Sequence, residues 1–339
     1  MSRLRVACIG TGFIARRHLS ALCEMPDVEV VAVADAQPER VQDIASRYGA
    51  KAYTDGGLLL ERESLDAVWL CVPPSAHGPL EHAALERRLP FFVEKPLAVE
   101  LPTASGVAAA VRTSGLLTSV GYHWRSLDVV AQARQALQGE RVELLTATWL
   151  DSTPAAPWWS QRSGSGGQLV EQTTHLIDLA RLLVGDIVTV QALEVTHRRD
   201  AWPMADVPTA SAVLLRFASG GVGTIASSCV LDRRHDVSAR LVVGGRLLNL
   251  RERALSDHEL RISTGSGEQL TRDRQDPIAA EDRAFVDALL AGHDRVPVPY
   301  EEALHTHAAV CAADASARDN GTVVDVADFL AAQTPGGNA

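Results

Sequence analysis

The sequence predicts an α/β fold: a doubly wound parallel sheet first, then an α+β domain built on a mainly antiparallel open sheet. Three observations carry this. Short apolar runs alternate with helical patterns as far as Gly121, which is how parallel strands covered on both faces read. The first run ends in a glycine turn that opens a helix, and an acidic residue closes the next run. Past residue 142 the pattern changes to paired apolar runs joined by glycine turns, the mark of antiparallel hairpins.

Taken in order, residues 4–9 are a strand-length apolar run ending in Gly10-Thr11-Gly12, and residues 13–24 read as a helix that stops before Pro26. A second buried strand, 28–34, closes on Asp35. Pro38 stands at a favourable first-turn position of a helix that Gly49 ends. The strand 67–72 runs into Pro73-Pro74, a helix covers 78–88, and the short strand 91–93 precedes Glu94-Lys95-Pro96. A helix over 102–115 and a strand over 117–121 complete this half. Beyond it, a helix over 128–138 leads to a strand over 142–150, a Pro-, Trp- and Gly-rich loop over 151–167 and an amphipathic helix over 169–184. Gly220-Gly221 and Gly244-Gly245 join 210–217 to 222–229 and 239–243 to 246–250. Helices over 278–291 and 300–318 follow, and the tail 334–339 reads as disordered. The division expected is 1–121 for dinucleotide binding and 122–339 for substrate binding and oligomerisation.

Composition narrows the function classes. A chain of 339 residues with 46% hydrophobic and 22% charged residues has material for two cored domains. Charged residues interrupt every apolar run before it reaches bilayer-spanning length, and the N-terminus carries no signal-peptide pattern, so a cytoplasmic location is expected. The formal net charge of −10 disfavours a nucleic-acid partner. The five cysteines lack metal-type spacing, and Cys8 and Cys71 sit in apolar strands as small hydrophobes. No metal is expected.

The strand-turn-helix at Gly10-x-Gly12-x-x-Ala15 has the form of a Rossmann dinucleotide turn. Gly10 makes the tight turn, Gly12 admits pyrophosphate close to the backbone, and Ala15 lets helix and strand pack closely, so Gly10, Gly12, Phe13, Ile14 and Ala15 form the candidate cradle. Asp35 is placed to accept the adenosine ribose hydroxyls and to repel a 2′-phosphate, which favours NAD over NADP. Arg40, five residues on, softens that preference and leaves NADP open.

These residues, with Val72, Pro73, Pro74 and His77, with Glu94-Lys95-Pro96, and with the stretch from Gly166-Gly167 through Glu171 to His175 and Asp178, resemble the Gfo/Idh/MocA family of glucose–fructose oxidoreductase- and inositol dehydrogenase-like enzymes. The resemblance spans nearly the whole chain. It implies an NAD(P)-dependent oxidoreductase moving a hydride between nicotinamide C4 and a secondary alcohol or ketone of a sugar, inositol or polyol. It also implies a homodimer or homotetramer formed through the C-terminal sheet, and a cofactor site that includes Val72, Pro73, Pro74, His77, Glu94 and Lys95.

Lys95 follows a buried strand at its carboxyl end, where open α/β sheets place ligands. By analogy with the family it binds the reacting oxygen, and the X–Pro bond at Lys95–Pro96 admits the cis form. Glu171, His175 and Asp178 fall at i, i+4 and i+7, one stripe of one helix. His175 is the candidate proton shuttle, with Asp178 orienting it or binding a substrate hydroxyl. Glu171, the remaining candidate catalytic and substrate-binding residue, stands where better-known inositol dehydrogenases carry Asp. His123, Arg125, Trp158 and Trp159 are further candidate substrate contacts, while His305 and His307 read as structural or solvent-facing. Two other readings stay open: a keto-sugar or other carbonyl reductase using NADP(H), and a non-catalytic dinucleotide sensor. Retention of both Lys95 and His175 argues against the sensor.

Overall fold

The computed structural model describes residues 3–333, so the expectation for 334–339 lies outside the described residues. Two compact units emerge. The first comprises the chain up to Ala98, Thr103–His123 and Ile278–Leu304; the second takes Val99–Pro102, Trp124–Pro277 and the chain from His305 on.

In the first unit the apolar runs form β1 (Leu4–Ile9), β2 (Val28–Ala34), β3 (Lys51–Tyr53), β4 (Ala67–Leu70), β5 (Phe91–Val93) and β6 (Thr118–Val120). Between them stand α1 (Phe13–Glu24), α2 (Pro38–Tyr48), α3 (Gly56–Arg62), α4 (Pro79–Glu86) and α5 (Leu101–Ser114). The strand order is β3-β2-β1-β4-β5-β6 with every pairing parallel. Chain direction across the sheet reverses between β1 and β4, and the carboxyl ends flanking that switch point are where open α/β sheets take ligands. The sequence did not signal β3 and α3, because Lys51–Tyr53 is a three-residue edge strand with no buried residue.

One side of this unit's core joins Val6, Cys8, Ala15, Leu19 and Val33 to Trp69, Phe92, Phe285 and Val286. The last two belong to α10 (Pro277–Ala291). Phe285 meets Trp69 edge-on at 5.3 Å between ring centroids, and burying these rings binds a late segment of sequence into the first unit.

The second unit is built on nine strands in the order β14-β13-β12-β11-β7-β10-β9-β8-β15. These are β7 (Leu144–Leu150), β8 (Ile187–Val195), β9 (Ala210–Phe217), β10 (Val222–Ser228), β11 (Asp236–Val243), β12 (Arg246–Ala254), β13 (Asp257–Thr264), β14 (Gly267–Asp273) and β15 (Val324–Asp325). All pairings are antiparallel except β7 with β10. The period-2 pattern shows in β10, where Gly223, Ile225 and Ser227 are buried while Val222, Thr224 and Ala226 are exposed. The exposed face continues through Leu144, Leu193, Leu214, Val242 and Leu247.

The helix expected over 169–184 is in fact two: α8 (Gln168–Glu171) and α9 (Thr174–Val184), with α6 (Asp128–Ala136) and α7 (Arg162–Ser165) before them. The break follows from a wide turn in which Thr173 N–H donates to the Gln168 carbonyl, five residues back, at 2.9 Å. The Gln168 side chain braces the turn against the Gln172 side-chain oxygen and the Ser228 carbonyl. α11 (Tyr300–Arg318) and α12 (Val326–Ala332) complete the described chain. All five cysteines are free, and only Cys23 is exposed. No helix among the described residues is long and apolar enough to cross a membrane.

Candidate active site

The glycine turn is dictated by contact as well as by backbone. Gly10 has φ +94°, and a Cβ there would lie 2.1 Å from the Cys71 carbonyl oxygen, so β1 and the end of β4 approach each other only with glycine at this position. Gly12 differs. As the N-cap of α1 it has φ −69°, open to any residue, and a Cβ on it would meet nothing within 4 Å. Neither packing nor backbone asks for glycine at Gly12, so the space beside it fits a ligand approaching the backbone. No side chain caps α1 and no acidic residue occupies its first turn, which leaves its leading N–H groups and positive dipole end for an anion. Ala15 is fully buried, Ile14 half-buried, and Phe13 78% exposed.

Asp35 sits at the end of β2, nearly buried, with both oxygens engaged. Oδ2 accepts from the Thr11 N–H and hydroxyl, each at 2.8 Å. Oδ1 accepts from Gln37 N–H at 2.9 Å and Arg40 Nη2 at 2.7 Å. Burial acts to raise its pKa, but Arg40, Gln37 and Thr11 together bring it below the ordinary carboxylate value. The Arg40 guanidinium therefore covers the carboxylate expected to meet ribose. Val72 and Pro73 are half-buried and Pro74 is buried. Buried His77 places Nδ1 2.6 Å from Glu81 Oε1, while Glu81 Oε2 accepts the Gly78 N–H, so His77 is tied to the start of α4.

Half-buried Lys95 follows β5, and its bond to Pro96 is cis. Glu94 is buried; its Oε2 accepts the Lys95 N–H at 3.0 Å and its Oε1 lies 3.1 Å from His18 Nε2. His18 Nδ1 in turn lies 2.8 Å from Asp282 Oδ1, which also accepts from Trp69 Nε1. His123, just after β6, is buried and contributes to holding Glu94 ionised.

In the second unit His175 is buried in the first turn of α9 and stacks on Trp149 at 5.9 Å between centroids, tilted by 15°. Arg234 lies over the same indole at 5.7 Å and is held by Asp151 and Glu252. The helix break removes the single stripe expected for Glu171, His175 and Asp178. Asp178 is engaged by a two-pronged pair with Arg125, at 2.8 and 2.6 Å, and by the Thr306 hydroxyl at 2.9 Å. Arg125, expected as a substrate contact, is thus a buried counter-ion of Asp178. Glu171 accepts from Trp159 Nε1 at 2.6 Å, and Trp159 is a core residue packed with Val207 and Cys229. Trp158 is half-buried beside that cluster. His305 is exposed, and His307 is buried with Nε2 3.5 Å from Cys311 Sγ.

Sequence reasoning passed over His18, Asp282, Trp149 and Arg234. A signal existed for His18, which shares the buried face of α1 with Ala15, Leu19 and Leu22; a histidine there needs polar partners. Its partners lie 76 and 264 residues away and carry no local mark.

Comparison with known proteins agrees with this architecture. Residues 4–122 match the model of the oxidoreductase family with NAD-binding Rossmann fold, and residues 130–246 match the GFO/IDH/MocA C-terminal domain. A myo-inositol 2-dehydrogenase of Thermotoga maritima is 28% identical over 231 residues, covering 66% of this chain and 68% of that protein. A dTDP-3,4-didehydro-2,6-dideoxy-α-D-glucose 3-reductase of Streptomyces antibioticus is 30% identical over 247 residues, 71% of this chain and 69% of that one. The solved structure of a levoglucosan dehydrogenase in complex with NADH shares the fold, with a TM-score of 0.85 over 96% of this chain and 99% of that chain at 22% identity. With family models on both halves and a relative of this similarity, the chain belongs to the Gfo/Idh/MocA family of NAD-binding oxidoreductases.

Proposed function

We propose that this protein is an NAD-dependent dehydrogenase interconverting a secondary alcohol and a ketone on a sugar, an inositol or a related polyol. The observation that carries the reading is Lys95, seated at the carboxyl end of β5 by a buried Glu94, in a unit whose glycine turn leaves room for a dinucleotide at Gly12. Gly10, Gly12 and the first turn of α1 would hold the pyrophosphate, and Asp35 the adenosine ribose once Arg40 moves aside. When bound, NAD supplies the hydride acceptor at nicotinamide C4. Lys95 donates a hydrogen bond to the reacting oxygen and stabilises charge developing there. His175 takes the hydroxyl proton during oxidation and returns it during reduction. Asp178, occupied by Arg125 and Thr306, acts by anchoring α9 beneath His175, and Glu171 by anchoring the tryptophan loop through Trp159. The relatives named for an inositol and for a dTDP-linked deoxysugar support the substrate class.

One observation favours a second reading. The Arg40 guanidinium lies on Asp35 and offsets the carboxylate's repulsion of a 2′-phosphate, and reduction of a keto-sugar with NADPH is the alternative. The exposed sheet face through Leu144, Leu214, Val222 and Val242 supports a second copy of this chain as partner. The five free thiols are in keeping with a reducing, cytoplasmic setting.

A panel of inositols, aldoses and keto-sugars, followed by nicotinamide absorbance with NAD and NADP in parallel, tests the reading. Turnover of a polyol with NAD is expected. Lys95→Ala and His175→Ala should each lower kcat by about 10²-fold or more while NADH affinity stays within about twofold. Wild-type rates from both variants would overturn the assignment.

A further inference from the structure

Beside Lys95 runs a buried ionic chain for which the proposed chemistry has no use. His18 stands on α1, the helix that Gly12 opens, and is fully buried. Each of its ring nitrogens faces a carboxylate oxygen, Asp282 Oδ1 at 2.8 Å and Glu94 Oε1 at 3.1 Å. Trp69 Nε1 donates to that same Asp282 oxygen at 2.8 Å, which makes it an acceptor. Only an imidazolium offers a donor at both nitrogens. Burial acts against a charged His18, yet Asp282 and Glu94 together raise its pKa well above the ordinary 6.5.

The carboxylate of Glu94 is confined on three sides. His18 holds Oε1, the Lys95 N–H holds Oε2, and a Cβ on Gly121 would come within 2.7 Å of Oε1. The titratable groups around it are His18 from α1, Glu281 and Asp282 from α10, Cys71 after β4, His123 after β6, and Lys95 itself. Burial acts to raise the Glu94 carboxyl; His18, with further pulls from Lys95 and His123, brings it below its ordinary value. A buried carboxylate that loses its counter-charge takes a proton or recruits the next cation, and Lys95 is the adjacent residue.

We propose that His18 is a positioning residue for Lys95: as the buried counter-ion of Glu94, it keeps the neighbouring carboxylate from claiming the Lys95 ammonium. The inference rests on the reading of Lys95 as the oxygen-binding group. Ligand atoms of His18, Glu94 and Glu281 lie within 4.8 Å of one another, but a cation there would displace the Nε2 proton that ties His18 to Glu94. Asp282, whose carboxyl is pushed up by burial against the opposing pull of His18 and Trp69, completes the chain by facing His18 at the opposite nitrogen.

The test measures Lys95 itself in the full chain. Trace acetylation with acetic anhydride from about pH 6 to about pH 11, read at Lys95 by mass spectrometry, reports its apparent pKa. In His18→Gln, Glu94 is uncompensated, so Lys95 should react roughly tenfold more slowly at about pH 8. Asp282→Asn should shift it the same way by less, and it carries the test if His18→Gln does not fold. Adding Glu94→Gln to either variant should restore the wild-type profile. With a substrate from the panel, kcat in His18→Gln should fall about tenfold while NAD affinity stays within about twofold. An unchanged Lys95 profile in Asp282→Asn and in any foldable His18→Gln would overturn the proposal. If Lys95→Ala keeps full turnover while the profile still shifts, the role of Lys95 in the reaction fails and the coupling to His18 stands.

Discussion

The cofactor cradle of the first unit and the His175 region of the second are made of different material. The cradle is backbone: Gly10 passes the Cys71 carbonyl, Gly12 leaves open space, and α1 presents uncapped N–H groups. The His175 region is side chains holding side chains over long separations. Arg125 reaches Asp178 across 53 residues and Thr306 reaches it across 128, while Trp149 lies flat against His175. A backbone site depends on a few adjacent residues having no side chain. A side-chain site depends on distant partners all being present, so its failures spread through the packing.

Gly10→Ala should be the most damaging single change to the cradle. Its new Cβ meets an immovable carbonyl at 2.1 Å in a left-handed conformation, for a combined cost of about 5 kcal/mol of strain and displacement. Gly12→Val, two residues on, should lose no more than about 1 kcal/mol as a poorer N-cap but bind NAD about tenfold more weakly, since its side chain enters open space. Thermal melts with and without NAD separate the two; equal melting of both variants would remove the distinction between contact and cradle.

In the second unit, Asp178→Asn strips the charge from a buried pair whose Arg125 side chain is 7% exposed. The expected loss is about 3 kcal/mol of stability, seen as a lower denaturant midpoint at unchanged slope. A stable variant with lost turnover would instead return Asp178 to direct contact with substrate.

The smallest effect concerns pH. The folded-state pKa of His18 is raised above its ordinary 6.5, so its contribution to stability is full below that value and fades as pH rises through the folded one. Wild-type melting temperature should therefore fall between neutral and mildly alkaline pH, and His18→Gln should flatten that fall. A parallel pH dependence in both proteins would assign the trend to other groups.

Legibility in the sequence follows the same division. The strands of the first sheet are long enough in apolar residues to be read directly, and the Gly10–Ala15 turn and Asp35 declare themselves through spacing. The edge strand Lys51–Tyr53 has no apolar run to show, β14 is largely exposed, and two of the three buried residues of β13, His258 and Glu259, are polar, so their hydrophobic signal is faint. The helix break at Gln172 and Thr173 was invisible because the residues on both sides keep helical periodicity. Only a hydrogen bond reaching back to Gln168 produces it.

By itself, the sequence determined that this chain builds a parallel sheet with a dinucleotide turn at its first strand, followed by an antiparallel sheet. Those features arise from near neighbours: strand period, glycine conformation and helix ends act within a few residues. The tertiary structure alone decided that α10 belongs with the first unit, that Arg125 serves Asp178, and that His18 stands between Glu94 and Asp282. Each of these joins groups that only folding brings together, and a buried charge takes whichever partner the packing places beside it.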